Sequence, residues 1–307
     1  MLIDDVYRYL ELRRSLGFKL HRIDHYLVAF VRFAQEAGDT YIRTATAIAW
    51  AKTFSKTQNG RYWRMSEIAN FARFLRAEDP THEVPPRHLF YRPCSRPTPY
   101  IYSPDELRRI IEAAGNLSPL RSSPIRGGMY EVLFGLLAST GMRVSEALNL
   151  KLGDLSPDGV LHVRNTKSGK SRLVPLHPSV VEVLNAYLRV RHKIAESDDH
   201  VFLSADLKRR LSLGSVWRTF QLCLRKANIN LGCAHRPRVH DLRHTFATRV
   251  LEQCASSHEE VARQFVALST YLGHSNIRCT YWYLEATPNL MSDIAAAAEL
   301  LVARRHA

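Results

Sequence analysis

Six prolines fall within twenty residues, at 80, 85, 86, 93, 97 and 99, interleaved with Arg87, Arg92 and Arg96. Proline fixes φ and lacks a backbone donor, so neither a helix nor a central strand runs through such a stretch. It reads as an extended, semi-rigid connector and divides the chain into separately folding parts. The predicted domains are 1–88 and 101–307, with 89–100 as the linker. At 307 residues the chain is long enough for each part to bury its own core.

The part before the prolines is periodic at three and four. Ile23, Tyr26, Leu27, Phe30, Val31 and Ala34 form one apolar stripe; Met65, Ile68, Phe71, Ala72 and Leu75 form another. Between them Ala45 to Phe54 is apolar around Trp50, and Val6 and Leu10 precede them. Gly17, Gly38 and Gly60 are read as stops between helices, giving a four-helix unit. Its other faces carry many cations, among them Lys19, Arg22, Lys52, Arg61, Arg64 and Arg73. Each is an ordinary solvated charge when taken alone. Together they make a bundle able to follow a phosphate backbone.

The part after the prolines is mixed. Ser103-Pro104-Asp105-Glu106 is a helix start, with Ser103 as N-cap and Glu106 completing a capping box. Val160 to Val163 and Leu173 to Leu176 read as short strands around a turn-rich segment from Asn165 to Ser171, predicting a hairpin. Helices are expected at about 179–192, 215–227, 240–253 and 259–271, with an alanine-rich tail helix from Asn289 to Arg304. The expected class is mainly α with a small antiparallel β-sheet.

Charge narrows the function. The chain has 43 Lys+Arg against 29 Asp+Glu, a formal net charge of +14. Such an excess points to a polyanionic partner. No apolar run is long enough to span a membrane. Acids at Asp4 and Asp5 stand where a signal peptide carries basic residues. Five scattered cysteines, without a CxxC pair, make no disulfide framework, and a reducing cytoplasm is the expected compartment.

Several residues carry chemistry. His240 and Arg243 are three apart at a helix start and share a face, pairing a proton-handling ring with a cation fork. The ordinary explanation is a capping histidine beside a surface arginine. Arg143 follows Thr140-Gly141-Met142 into a helix, where its fork and the helix N-terminal amides both suit a phosphate. Glu146, one turn on, is placed to hold that guanidinium. Lys167 sits in the hairpin turn, where most lysines are merely solvated. Tyr283 needs cationic neighbours to attack near neutral pH, and Tyr281 competes with it. On a helix those two tyrosines point apart.

Taken in order, these segments strongly resemble the tyrosine recombinases, the phage integrases and their bacterial relatives. The matching words are Thr-Gly-Met-Arg-Val-Ser-Glu-Ala-Leu-Asn-Leu, Thr-Lys-Ser-Gly-Lys-Ser-Arg-Leu-Val-Pro-Leu, His-Asp-Leu-Arg-His-Thr-Phe-Ala-Thr and Leu-Gly-His-Ser-Asn-Ile, with a tyrosine nine residues past His274. They span roughly residues 100 to 290. The resemblance implies a C-shaped clamp on DNA, made of a helical core-binding domain and a catalytic domain. It makes Tyr283 the nucleophile of a 3′-phosphotyrosyl intermediate, and Arg143 and Arg243 the transition-state cations. Lys167 becomes the general acid, with Lys170 as fallback. His240 accepts or shares the tyrosine proton, His274 binds a non-bridging oxygen, and Glu146 supports the first arginine.

Neither metal nor cofactor is implied. The implied partners are double-stranded recombination sites, three further copies of the chain in a homotetramer on two sites, and accessory or sister recombinases. Off DNA a monomer or weak dimer is expected. The wording is that of mobile-element enzymes, whose work is integration, excision or transposition. Residues 255 to 267 make the stretch between Arg243 and His274 longer than in the commonest members. Rival readings are a type IB topoisomerase-like nicking-closing enzyme, an accessory DNA-binding protein without catalysis, and a zinc peptidase using His240 and His244. The last lacks the required glutamate, since position 241 is aspartate.

Overall fold

The computed structural model describes residues 2–18, 20, 22–91, 98–164, 171–194, 198–229, 236–253 and 258–273. The chain forms two compact units, 1–96 and 97–307.

The first unit is a bundle of α1 (Leu2–Ser15), α2 (Ile23–Glu36), α3 (Thr44–Thr53) and α4 (Gln58–Arg76). The apolar stripes meet in one core built around Phe30, Trp50, Met65 and Phe71, with the Phe30 and Trp50 rings edge to face at 5.7 Å. Gly17 and Gly38 follow α1 and α2 in the left-handed region, as stops should. Gly60 does not act as a stop. It lies in the first turn of α4, where its N–H donates to the N-cap hydroxyl of Thr57 at 3.1 Å. A Cβ there would come within 2.2 Å of the Ser55 hydroxyl, so the glycine is needed for close approach.

The proline-rich stretch is not a free connector from Pro80. His82 Nδ1 accepts from the Ile42 N–H at 3.1 Å, and the Glu83 N–H donates to the Ile42 carbonyl. A 3₁₀ turn at Arg87–Phe90 then buries Phe90 in the first core. Proline blocks continuation of a helix, but it does not prevent side chains between the prolines from packing.

In the second unit the capping box is present. Ser103 Oγ accepts the Glu106 N–H at 3.1 Å while the Glu106 carboxylate accepts the Ser103 N–H at 2.8 Å, starting α5 (Pro104–Gly115). Next comes α6 (Arg126–Thr140), with Leu133, Phe134, Leu136 and Leu137 all buried. A helix apolar on every side belongs at the centre of a domain, and α6 packs on α5, on α8 (Pro178–Ile194) and on α10 (His240–Glu252). The short α7 (Val144–Leu148) follows α6. Strands β1 (Val160–Val163) and β2 (Arg172–Pro175) pair antiparallel, with Val163 opposite Arg172. The predicted turn between them lies outside the described residues, as does the tail helix. Helices α9 (Leu213–Lys226) and α11 (His258–Tyr271) complete the unit. No described helix is long and apolar enough to cross a membrane.

Candidate active site

The site begins where α6 ends. Gly141 closes the helix at φ 59, and a Cβ there would come within 2.4 Å of the Phe246 ring on α10. Only glycine allows both the left-handed turn and this approach. The turn exposes the Gly141 carbonyl to α10, where Arg243 Nη1 donates to it at 2.8 Å. Arg243 Nη2 donates to the Leu272 carbonyl, just past α11, at 2.7 Å. The side chain is 2% exposed. Two backbone dipoles therefore fix the fork in the space between the ends of α6 and α11, and neither adds a counter-charge.

Arg143 is anchored on the next carbonyl along. Its Nη2 donates to Gly273 O at 3.2 Å and its Nη1 to Glu146 Oε1 at 2.7 Å. The other Glu146 oxygen accepts the Arg143 N–H at 3.0 Å and Arg172 Nη2 at 2.7 Å. This corrects one expectation. The amides of α7 do not form an anion site, because the helix has five residues and Glu146 closes its start. Guanidinium groups supply the positive charge instead.

Glu146 is buried, and burial alone would raise its pKa. The hydrogen bond from Arg172 and that from the Arg143 N–H outweigh it and bring the carboxyl down to about 2. It is thus ionised at any working pH, and one carboxylate is shared by two guanidinium groups.

Sequence reasoning passed over Arg172. It opens β2, and its Nε and Nη1 are buried without a hydrogen-bond partner among the described residues. Idle buried donors on a cation are costly unless a ligand takes them. The available signal was alternation: Arg172 is two residues from buried Val174, so both face inward.

His240 stands at the first position of α10. Its surface is open to solvent, yet its surroundings disfavour its charged form. Desolvation is the main cause of its lowered pKa; Arg243, Arg238 and Arg143 act in the same direction, and Asp241 opposes them. Near neutral pH the ring is an acceptor of protons. It meets the His244 ring edge to face at 4.8 Å. Asp241 is 1% exposed and accepts both the Arg238 N–H at 2.8 Å and Arg238 Nη2 at 3.0 Å. That carboxylate is engaged by Arg238, not presented as the base a zinc peptidase needs. Thr245 and Arg249 then tie α10 to the residues before α5: the Tyr102 N–H donates to Thr245 Oγ1 at 2.9 Å, and Arg249 Nη2 donates to Tyr102 O at 2.8 Å.

Of the residues singled out in the sequence, Arg143, Glu146, His240 and Arg243 thus come together. Lys167, Lys170, His274 and Tyr283 lie outside the described residues, as does Lys19. In the first unit Arg22, Lys52 and Arg73 are exposed. Arg61 and Arg64 are half-buried and held on nearby backbone: Arg61 Nε donates to Ser55 O at 2.9 Å and Arg64 Nη1 to Gly60 O at 3.3 Å. The Arg64 guanidinium also lies 5.0 Å from the Tyr26 ring centre.

Comparison with known proteins agrees with this geometry. The model of the phage integrase family matches residues 101–289. The putative integrase/recombinase y4rB of Sinorhizobium fredii is 40% identical over 298 residues, covering 94% of each chain. The fold is that of the Tn1549 transposon integrase, solved in complex with transposon right end DNA, with TM-score 0.67, 18% identity and coverage of 98% of this chain and 100% of that one. It is also that of λ integrase, solved as a tetramer bound to a Holliday junction, with TM-score 0.60, 19% identity and coverage of 91% and 76%. The chain belongs to the phage integrase family and is a tyrosine-type site-specific recombinase.

Proposed function

We propose that this protein cuts and rejoins DNA strands at the recombination sites of a mobile element, with Tyr283 as nucleophile. The observation that carries this is the anchoring of two guanidinium forks on consecutive carbonyls, Leu272 and Gly273. The next residue in the chain is His274, and Tyr283 follows nine positions later. The chain therefore leaves a site rich in fixed cations immediately before His274, the proposed ligand of a non-bridging oxygen, and the proposed nucleophile.

In the first step the Tyr283 oxygen forms a bond to the scissile phosphorus and the bond from phosphorus to the 5′ oxygen breaks. The phenolic proton passes to His240, which is neutral near pH 7. Lys167 gives a proton to the departing 5′ oxygen, with Lys170 in reserve. Arg143, Arg243 and His274 hold the non-bridging oxygens, whose charge grows in the transition state. Donors fixed before the reaction stabilise such charge without reorganisation. Attack by a second 5′-hydroxyl on the phosphotyrosine reverses the step on another strand, so no external energy source is required.

Arg172 belongs to this site as a positioning residue. It links β2, and with it the segment carrying Lys167 and Lys170, to the carboxylate that orients Arg143. The first unit contributes exposed cations such as Arg22, Lys52 and Arg73 to the DNA backbone. Four copies on two sites complete the reaction, a reading supported by λ integrase, which is a tetramer on a Holliday junction.

The test is a labelled duplex from the DNA flanking the gene, incubated with protein and resolved by SDS electrophoresis. Wild type should give a covalent adduct and Tyr283→Phe none. An adduct that persists in Tyr283→Phe would assign the nucleophile to Tyr281 instead.

A further inference from the structure

A cavity of about 310 Å³ opens on the second unit between the N-terminal half of α6 and the outer face of α9. No residue of the arginine site lines it. Since α6 has 15 residues, its first turn lies about 20 Å from the Gly141 end. The lining is apolar at Leu120, Met129, Leu211 and Leu222; Met129 and Leu211 are only 2% exposed, whereas Leu120 is exposed. The rim carries Arg126, Arg218 and Arg225. None of the three has a carboxylate partner among the described residues: Arg126 Nη1 donates to the Ser118 carbonyl at 3.3 Å and Arg218 Nη2 to the Ser215 hydroxyl at 3.3 Å. Arg108 and Arg109 of this unit, by contrast, pair with Asp105. Ser123 also lines the cavity; it is 1% exposed, and its hydroxyl has no hydrogen-bond partner among the described residues. Buried hydroxyls without partners are uncommon, and one at a cavity wall marks a place where a ligand group can bind.

We propose that this cleft docks an acidic peptide segment of a partner protein, with one bulky apolar side chain lying between two carboxylates. Arg218 and Arg225 are seven residues apart on α9, about 10.5 Å along its axis. Acids four apart on an extended peptide share one face about 13 Å apart, with the residue midway between them on that face too, a spacing the long arginine side chains can meet. The apolar side chain then fills the recess over Leu120 and Leu222. A DNA backbone suits the rim but not the apolar lining, since its phosphates are hydrated anions with nothing apolar to place there. The cleft is separate from the strand-transfer site, so its occupant bears on assembly or recruitment, not on the chemical step.

The probe is the synthetic peptide acetyl-Gly-Glu-Ser-Phe-Ser-Glu-Gly-amide, titrated into the full-length protein by calorimetry. Saturable binding is expected, weakened roughly tenfold in the double variant Arg218→Glu/Arg225→Glu. Both arginines are exposed, so that variant should keep wild-type DNA cleavage. The same peptide with both glutamates changed to glutamine should bind more weakly to wild type, a test that needs no protein variant. Absence of binding to wild type, or equal affinity of the charged and neutral peptides, would overturn the proposal. So would displacement of the peptide by a 20-bp duplex lacking the recombination site, which would assign these arginines to the DNA surface.

Discussion

The two units use arginine in opposite ways. In the first unit Arg22, Lys52 and Arg73 stand in solvent, and ion pairs such as that of Arg8 with Glu78 join side chains that are both about half exposed. Such groups are hydrated, screened by salt and worth little to stability. In the second unit Arg243 and Arg172 are largely buried, and Arg143 is pinned by a carboxylate and a carbonyl. A mobile cation adapts to any phosphate that approaches. A fixed one suits a single arrangement of charge, and that selectivity is what lowers a barrier. On the function proposed, the contrast is between gripping a polymer and stabilising one transition state.

The largest break in this comparison comes from Arg243. Arg243→Ala should lower the rate of covalent adduct formation by at least roughly 10²-fold while leaving DNA affinity nearly unchanged. Arg243→Lys should recover little of the loss, because one ammonium cannot span the Gly141 and Leu272 carbonyls and still face the phosphate. Cleavage by Arg243→Ala at the wild-type rate would end the distinction drawn here.

A smaller effect is expected one contact away. Glu146→Gln keeps the side-chain shape but removes the charge that Arg143 and Arg172 share. The fork of Arg143 retains the Gly273 carbonyl, so the cleavage rate should fall only about tenfold. The depressed pKa adds a stability test. A carboxylate held at about 2 in the fold, against an ordinary value near 4.5, contributes stability that is present above pH 4.5 and lost as pH falls toward 2. Acid unfolding of Glu146→Gln, followed by circular dichroism, should therefore depend less on pH across that window than wild type does.

His240 sharpens the comparison through pH. Its folded pKa lies below the ordinary 6.5, so the ring stays neutral until the solution is more acidic than that. Protonation removes its capacity to take the tyrosine proton. Cleavage should thus be level near pH 7 and fall as pH drops through the lowered pKa. In His240→Gln the rate at pH 7 should be modestly reduced and the acid limb should flatten. An unchanged acid limb would remove the ring from the proton path.

Much of this organisation is visible in the chain itself, because local rules and packing agree there. The Ser103 and Glu106 box, the stripe from Ile23 to Ala34 and the strand at 160–163 each follow one short-range pattern, and each is present. What the pattern misreads depends on three-dimensional neighbours. Gly60 looked like a stop, but the hydroxyls of Ser55 and Thr57 fold back against it. Phe90 sits among prolines and still finds the first core. Arg172 reads as one more basic residue in a turn-rich segment. Only the strand register beside Val163, and a carboxylate 26 residues upstream, make it part of the site.

The smallest expected effect tests the other side of the comparison. If Lys52 is an adaptable contact to phosphate, Lys52→Ala should weaken binding to every duplex by a similar factor and leave the cleavage rate of bound DNA intact. Its signature is the dependence on salt: each lost phosphate contact lowers the slope of log K against log salt by about 0.9. Arg64→Ala should behave differently. That guanidinium lies against Tyr26 and spends one donor on the Gly60 carbonyl. Its loss should lower the stability of the bundle by about 1 kcal/mol and change the salt slope less than Lys52→Ala does. Equal slopes for the two variants would mean that half-burial does not withdraw an arginine from the DNA. The division between held and free cations would then follow the domain, not the local packing.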